Sequence, residues 1–313
     1  MTEGFHTPVL YEEVLHFLIT NINGTYVDGT LGGGGHAEGI CRRLTSEACF
    51  IGFDADEDAL RVASERLKDV PPRVIFVHAN VRTMKSELMH RGIVTISGLF
   101  LDLGVSSYQL DEQMKGFSFR SDERIDMRMD RRQSLSGWHV VNEYDEQRLA
   151  AIISEYGEER NARRIARAIV HARPVDTTQQ LARVVEKAAG KRFLVKTLAR
   201  VFQAIRIEVN DELRSLEHAL ADGIDMLEGG GRLVVISYHS LEDRIVKTMF
   251  RSASMTTQRS GHKYLPDTPL RPRLRLLTKS PVTASAAEIA RNPRARSAKL
   301  RVAERIAHEV DKE

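Results

Sequence analysis

Residues 25–36 read TYVDGTLGGGGH. A short apolar strand pattern ends on Asp28 and runs into four consecutive glycines. Only residues without Cβ let backbone press so closely against a ligand. A glycine-rich turn after a first strand ordinarily cradles phosphate, and a carboxylate in the same place repels it. The aspartate therefore bears on which ligand the loop takes.

Working outward, three further strand patterns follow at CFIGFDAD (49–56), RVIFVHAN (73–80) and ISGLFLDLG (96–104). Each is a short β-branched or aromatic run closed by Asp, Asn or Gly, as a buried parallel strand would be. Between the second and third, Ala59, Val62, Ala63 and Leu67 form an apolar helical stripe opposite charged residues. Strands alternating with helices predict a parallel, doubly wound α/β sheet. A fifth strand, GRLVVISYHS (231–240), comes only after more than a hundred residues. The helix before it is expected to start on an Asn210 cap and to stop at Gly229–Gly231.

The interval 106–207 thus reads as an insertion between strands four and five, with 1–105 and 208–313 forming one discontinuous domain. Its first part, to about Gly137, is rich in Ser, Gly and charge and reads as a long loop, a feature usually functional or disordered. Its later part reads as helices. Ala162, Ile165, Ala166, Ile169 and Val170 follow helical spacing, with Arg160, Arg163, Arg164 and Arg167 on the flank. After Pro174, Asp176 or Thr177 can cap a second helix carrying Leu181, Val184, Val185 and Ala188 on one side.

Composition places the chain among ordinary globular proteins, with 42% hydrophobic and 28% charged residues in 313. No apolar run approaches the roughly 18 residues needed to span a bilayer. MTEGFHTPVL at the start lacks a signal-peptide pattern. Cys41 and Cys49 fit a reduced cytoplasmic compartment and are too few for a metal cage, and no metal motif is visible. The net charge of +3 is unevenly spread: residues 251–305 hold thirteen Lys/Arg against three Asp/Glu, and residues 158–206 hold twelve against four. Such stretches point to a local anionic partner or to solvated helix faces.

In an open parallel sheet, ligands sit beyond the carboxyl ends of the strands, which here carry Asp28, Asp54 and Asp102. An acid ending strand two suits the ribose hydroxyls of any adenosine ligand. Gly32-x-Gly34-x-x-Ala37 fits the dinucleotide fingerprint loosely. Electrostatics separates the candidates. Two like charges about 4 Å apart repel by roughly 4 kcal/mol at an effective dielectric near 20, so a pyrophosphate beside Asp28 and Asp102 is disfavoured. S-adenosylmethionine, with its sulfonium and α-ammonium, reverses the sign. Asp28 and the glycine run Gly33–Gly35 become candidate contacts for it.

The motifs HTPVL (6–10), VDGTLGGGGH (27–36), LDLGVSSYQLD (101–111), GFSFR (116–120), DMRMD (126–130), FQAIRIEVNDEL (202–213), SYHSLEDRIVK (237–247) and NPRARSAKLRVAER (292–305) together resemble the RsmH/MraW family, bacterial 16S ribosomal RNA (cytosine-N4) methyltransferases. They run in family order along nearly the whole chain. The resemblance implies a class I, Rossmann-like methyltransferase domain with an inserted, mostly helical substrate domain. It implies methyl transfer from S-adenosyl-L-methionine to the exocyclic N4 of a P-site cytosine in small-subunit rRNA. Matched position by position, donor-binding residues fall on Gly34, Gly35, His36, Asp54, Asp102 and Gln109. Val81 stands where the family commonly packs an aromatic residue on adenine. Tyr108 replaces a usual proline, and Arg124-Ile125 a usual Pro-Leu.

The N4 amine is a poor nucleophile, so an enzyme must orient it and hold the base unstacked in a pocket. Asp102 is expected to hold the donor while Ser106, Ser107 or nearby carbonyls orient the amine; Tyr108 is placed to stack on the base. His239, after strand five, is a candidate for the substrate side. Arg120, Arg124 and Arg128, the Arg160/Arg163/Arg164/Arg167 flank, and Arg294, Arg296 and Arg301 are candidate phosphate contacts. DNA amino methylation is disfavoured by the missing [DNS]-P-P-[YFW] motif, an NAD-linked oxidoreductase by Asp28 and Asp102, and a non-catalytic RNA-binding assembly factor by the intact donor loop.

Overall fold

The computed structural model describes residues 8–104, 115–258, 260–261 and 267–307. The chain divides into two compact units, one of Met1–Gly104 with Arg214–Glu313, the other of Val105–Leu213. Neither divides the sheet, because the second unit is wholly inserted between its fourth and fifth strands.

The first unit is built on β1 (Thr25–Asp28), β2 (Cys49–Asp54), β3 (Arg73–His78), β4 (Ile96–Asp102) and β5 (Leu227–Ser237), all parallel. A two-stranded pair, β6 (Thr257–Gln258) and β7 (Thr268–Pro269), lies apart from it. β8 (Leu274–Leu276) and β9 (Lys299–Arg305) complete the main sheet, in the order β3-β2-β1-β4-β5-β9-β8, with β9 antiparallel to β5 and β8 antiparallel to β9. This is a Rossmann-like, doubly wound α/β sheet.

Its strands read as continuous apolar runs because helices cover both faces. Alternate residues divide between two cores. Tyr26, Phe50, Phe100 and Val234 pack on one side with the helices Tyr11–Leu18, Gly35–Cys41 and Glu57–Arg66. Val27, Ile51, Leu99, Leu101, Leu233 and Val235 pack on the other with residues of Met84–Met89, Glu212–Met226 and Ser240–Ala253.

Two expectations from the sequence need correction. Asn210 does not cap the helix before β5; it is the last residue of Leu194–Asn210, and Asp211 in the left-handed region separates that helix from the next. Nor does Gly229–Gly231 stop a helix. The helix ends at Met226, and the glycines lie inside β5, where the pairing with β4 slips between Ile96 and Gly98. Gly230 has φ 85°, as a bulge in a strand requires.

The inserted unit is mostly helical: Gly137–Glu143, Glu146–Glu155, Ala162–His171, Thr178–Ala189 and Leu194–Asn210. Ile153, Ile165, Ile169, Leu181, Val201 and Ile205 meet in its core. Asp145 caps the second of these helices, accepting from Arg148 N at 2.7 Å. Thr177 and Gln180 form a reciprocal capping box at the fourth.

Candidate functional site

The strand order reverses between β1 and β4, which places the expected ligand crevice at their carboxyl ends. Pairing aligns Asp28 with Gly52 of β2 and Phe100 of β4, so the three strands finish side by side. Asp28, Asp54 and Asp102 thereby come to one edge.

The glycine run is shaped from two directions. Gly32 and Gly34 take φ 51° and 76°, left-handed values open to glycine. Gly32 N donates to Asp54 Oδ2 at 2.8 Å and Gly34 N to Leu31 O at 2.9 Å, which closes the loop over the end of β2. Asp54 Oδ1 also accepts from Asp56 N at 2.9 Å, so the carboxylate is fixed in orientation. A Cβ on Gly35 would lie 2.8 Å from Pro8 Cγ, and one on Gly34 3.2 Å from Ala63 Cβ. Gly33 differs. Its φ is not left-handed, and a Cβ there would meet only Val62, at an ordinary 3.8 Å. Neither backbone nor neighbours require glycine at 33, as is appropriate where a ligand occupies the space. Val81 opens a 3₁₀ turn beside this loop, and its Cγ2 closes on the position of a Cβ at Gly29.

Asp28 is buried, accepting from Thr30 N at 3.0 Å. Burial lifts its pKa to about 8, with the neighbouring Asp102 and Asp54 adding to the rise. Asp102 N donates to Thr30 Oγ1 at 2.6 Å, tying the ends of β1 and β4 together. The Asp102 carboxylate accepts from the Tyr238 phenol at 2.9 Å. Its pKa is raised to about 7 by burial, the Tyr238 bond opposing that rise. His36 Nε2 lies 2.9 Å from Val9 O, a carbonyl that only accepts, so that nitrogen carries the proton. Nδ1 then faces Asp102 Oδ2 at 3.6 Å. Burial depresses His36 to about 4, so the imidazole is neutral and does not offset the carboxylates.

Asp28 and Asp102 therefore converge with only neutral hydrogen-bond partners among the described residues. Two uncompensated acids, Asp28 buried and Asp102 half-buried, make a poor site for phosphate and a good one for a cation. The residues fit a sulfonium- and ammonium-bearing methyl donor, with Gly33 leaving room for it.

Other expectations fall differently. Ser106, Ser107, Tyr108 and Gln109 lie outside the described residues. His239 Nδ1 caps Ser240–Ala253, accepting from Glu242 N at 3.4 Å, while its Nε2, 3.1 Å from buried Glu242 Oε1, makes no hydrogen bond among the described residues. Arg301 is buried in β9, with Nε 2.7 Å from Asp243 Oδ1, and is likewise withdrawn from phosphate. Arg128 is held by both oxygens of Asp126 and by the carbonyls of Arg131 and Gln133, shaping its own loop. Arg120, Arg124, Arg160, Arg163, Arg164, Arg167 and Arg296 are exposed, Arg167 with Glu146 at 3.3 Å; Arg294 is partly buried in a 3₁₀ turn. Tyr238, within SYHSLEDRIVK, carries no expectation from the sequence because its partner is 136 residues away.

A doubly wound sheet with an acidic, glycine-lined crevice at the β1/β4 switch point defines the methyltransferase class. Residues 3–306 match the MraW methylase family, and the chain belongs to this family of S-adenosyl-L-methionine-dependent enzymes. It is 48% identical over 314 residues to the ribosomal RNA small subunit methyltransferase H of Citrifermentans bemidjiense, covering 98% of this chain and all of that one. Proteins of the same name from Chlorobaculum parvum and Clostridioides difficile are 46% and 43% identical, over 97% of this chain and 99% and 100% of theirs.

Proposed function

We propose that the protein methylates the exocyclic N4 of a P-site cytosine in 16S rRNA of the small ribosomal subunit. The observation that carries this reading is the full-length match to proteins named for small-subunit rRNA methylation, on a chain that keeps an acidic donor crevice. S-adenosyl-L-methionine supplies an electrophilic methyl group when bound. Asp102, oriented by Tyr238, and Asp28 would face its positive charge, while Asp54 at the end of β2 has the position for ribose hydroxyls. Gly33, Gly34, Gly35, His36 and Val81 line or support the loop. Ser106, Ser107 and Tyr108 are assigned the amine side and Gln109 the donor side.

The 105–213 unit serves in this reading as the substrate-recognition domain, with Arg163, Arg164 and their exposed neighbours binding phosphate. No helix among the described residues is long and apolar enough to cross a membrane, and a cytoplasmic site of action is proposed. The test is transfer of labelled methyl to small-subunit particles and to naked 16S rRNA, followed by nucleoside analysis. N4-methylcytidine is expected; its absence from both substrates would reject the assignment.

A further inference from the structure

The helices Thr178–Ala189 and Leu194–Asn210 of the inserted unit are joined by residues 190–193, Gly-Lys-Arg-Phe. Gly190 ends the first helix with φ 79°, its N–H bonded to Glu186 O. Phe193 then starts the second from the left-handed region, φ 63°, its carbonyl accepting from Lys196 N and Thr197 N. A bulky side chain is strongly disfavoured there, and such strain persists where the surrounding structure holds it, often at functional sites.

The ring is not placed for packing. Phe193 is 63% exposed and Val195 66%, whereas Leu194 between them turns towards the unit's core. Two cations flank the ring, Arg192 Cζ 5.1 Å and Lys196 Nζ 5.9 Å from its centroid. Lys191 and Lys187 are exposed alongside. None of these four forms an ion pair among the described residues. An exposed aromatic ringed by unpaired cations on a short, helix-anchored turn is the combination that stacks on an unpaired base and holds the phosphates beside it. A protein partner would gain from the ring but would need to supply carboxylates for every cation. RNA supplies both faces of the match.

We infer that the 191–196 tip is an RNA-docking element, with Phe193 stacking on an unstacked base and Lys191, Arg192 and Lys196 contacting the adjacent phosphates. The inference rests on the rRNA substrate proposed above and adds a contact outside the Arg160–Arg167 flank.

The test uses the full-length enzyme, a short fluorescein-labelled single-stranded RNA, protein-free 16S rRNA and unmethylated small subunits. Phe193→Gly removes the ring and suits the left-handed backbone, so its Tm should be equal or higher while RNA affinity falls about tenfold. Phe193→Trp should keep that affinity. The Lys191→Ala/Arg192→Ala/Lys196→Ala triple variant should lower the salt dependence of binding by about two units of slope. Donor affinity should be unchanged in all. Phe193→Gly binding both RNAs as tightly as the parent, in an enzyme that still forms N4-methylcytidine, overturns the tip and leaves the substrate assignment intact. Tip-dependent RNA binding in an enzyme that forms no N4-methylcytidine does the reverse. Affinity lost for subunits but retained for both protein-free RNAs also overturns the inference, assigning the tip to a ribosomal protein.

Discussion

The Tyr238 phenol donates to Asp102 Oδ1 at 2.9 Å, joining the end of β5 to the end of β4. The bond gives the carboxylate one fixed acceptor direction and stabilises its charge. Tyr238 itself stays protonated, since burial and the facing carboxylate push its pKa up. Tyr238→Phe keeps the ring's packing and removes only the donor. A hydrogen bond to a charged group contributes about 1.5–3 kcal/mol, shared between the donor-free fold and the donor complex in which Asp102 is held ionised, so Tm should fall modestly and affinity for S-adenosyl-L-methionine severalfold. Calorimetric titration of the variant checks this; parental affinity would remove Tyr238 from the site.

Donor binding should release protons near neutral pH. Asp28 and Asp102 hold protons up to about 8 and 7 without a cation, against about 4 in the unfolded chain. Raised carboxyl pKa values stabilise the folded state at low pH, and that contribution is lost as pH rises through 7 and 8. His36 acts oppositely. Its depressed value costs stability as pH falls from about 6.5 towards 4. Of these three groups the two carboxylates change most between pH 6.5 and 8.5, so the donor-free Tm should decline across that window while donor affinity rises. Titrations in two buffers of different ionisation enthalpy should show net proton release at pH 6.5, reduced in the single variant Asp28→Asn where donor still binds.

The first four strands were legible because each is an apolar run ended by a turn or acid, and the structure places them within a residue or two of those bounds. β9 was not. KLRVAER reads as part of a basic tail because its charges find partners only in the fold, Arg301 with Asp243 and Glu304 with Arg232. The same cause hides Tyr238, and it makes His239 look like a reactive group when its ring caps a helix. Convergence of Asp28, Asp54 and Asp102 was legible, since position at a strand end is local; what neutralises them, or fails to, is not.

The glycines of the loop should separate by substitution. Gly34→Ala forces a side chain into φ 76° against Ala63 and should lower stability by about 1–2 kcal/mol. Gly33→Ala meets no such obstacle and should fold with an unchanged or slightly raised Tm, yet bind the donor weakly because the methyl group enters the ligand's space. Thermal denaturation alongside donor titration distinguishes them. Equal donor affinity in Gly33→Ala and the parent would show that the crevice lies elsewhere along the loop.

In the inserted unit Asn210 bonds three backbone groups: Met129 N at 2.8 Å, Met127 O at 2.8 Å and Arg206 O at 2.9 Å. Met127 has φ 59°, so the segment DMRMD is held in a conformation its own residues disfavour. Asn210 is therefore the clamp that gives this motif its shape, although the sequence reads it as a helix cap. Asn210→Ala leaves the part-buried Met129 N–H and the buried Met127 carbonyl without this partner and should cost about 2–4 kcal/mol in the stability of that unit. Asn210→Asp should restore the acceptor for Met129 N but turn a carboxylate towards the Met127 carbonyl, so it should rescue little. Donor affinity, a property of the other unit's glycine loop and acids, should survive both changes while methyl transfer to rRNA falls. Hydrogen exchange should then show lost protection at Met129 N; retained protection there, with full transfer activity, would show that the loop holds its shape without the clamp.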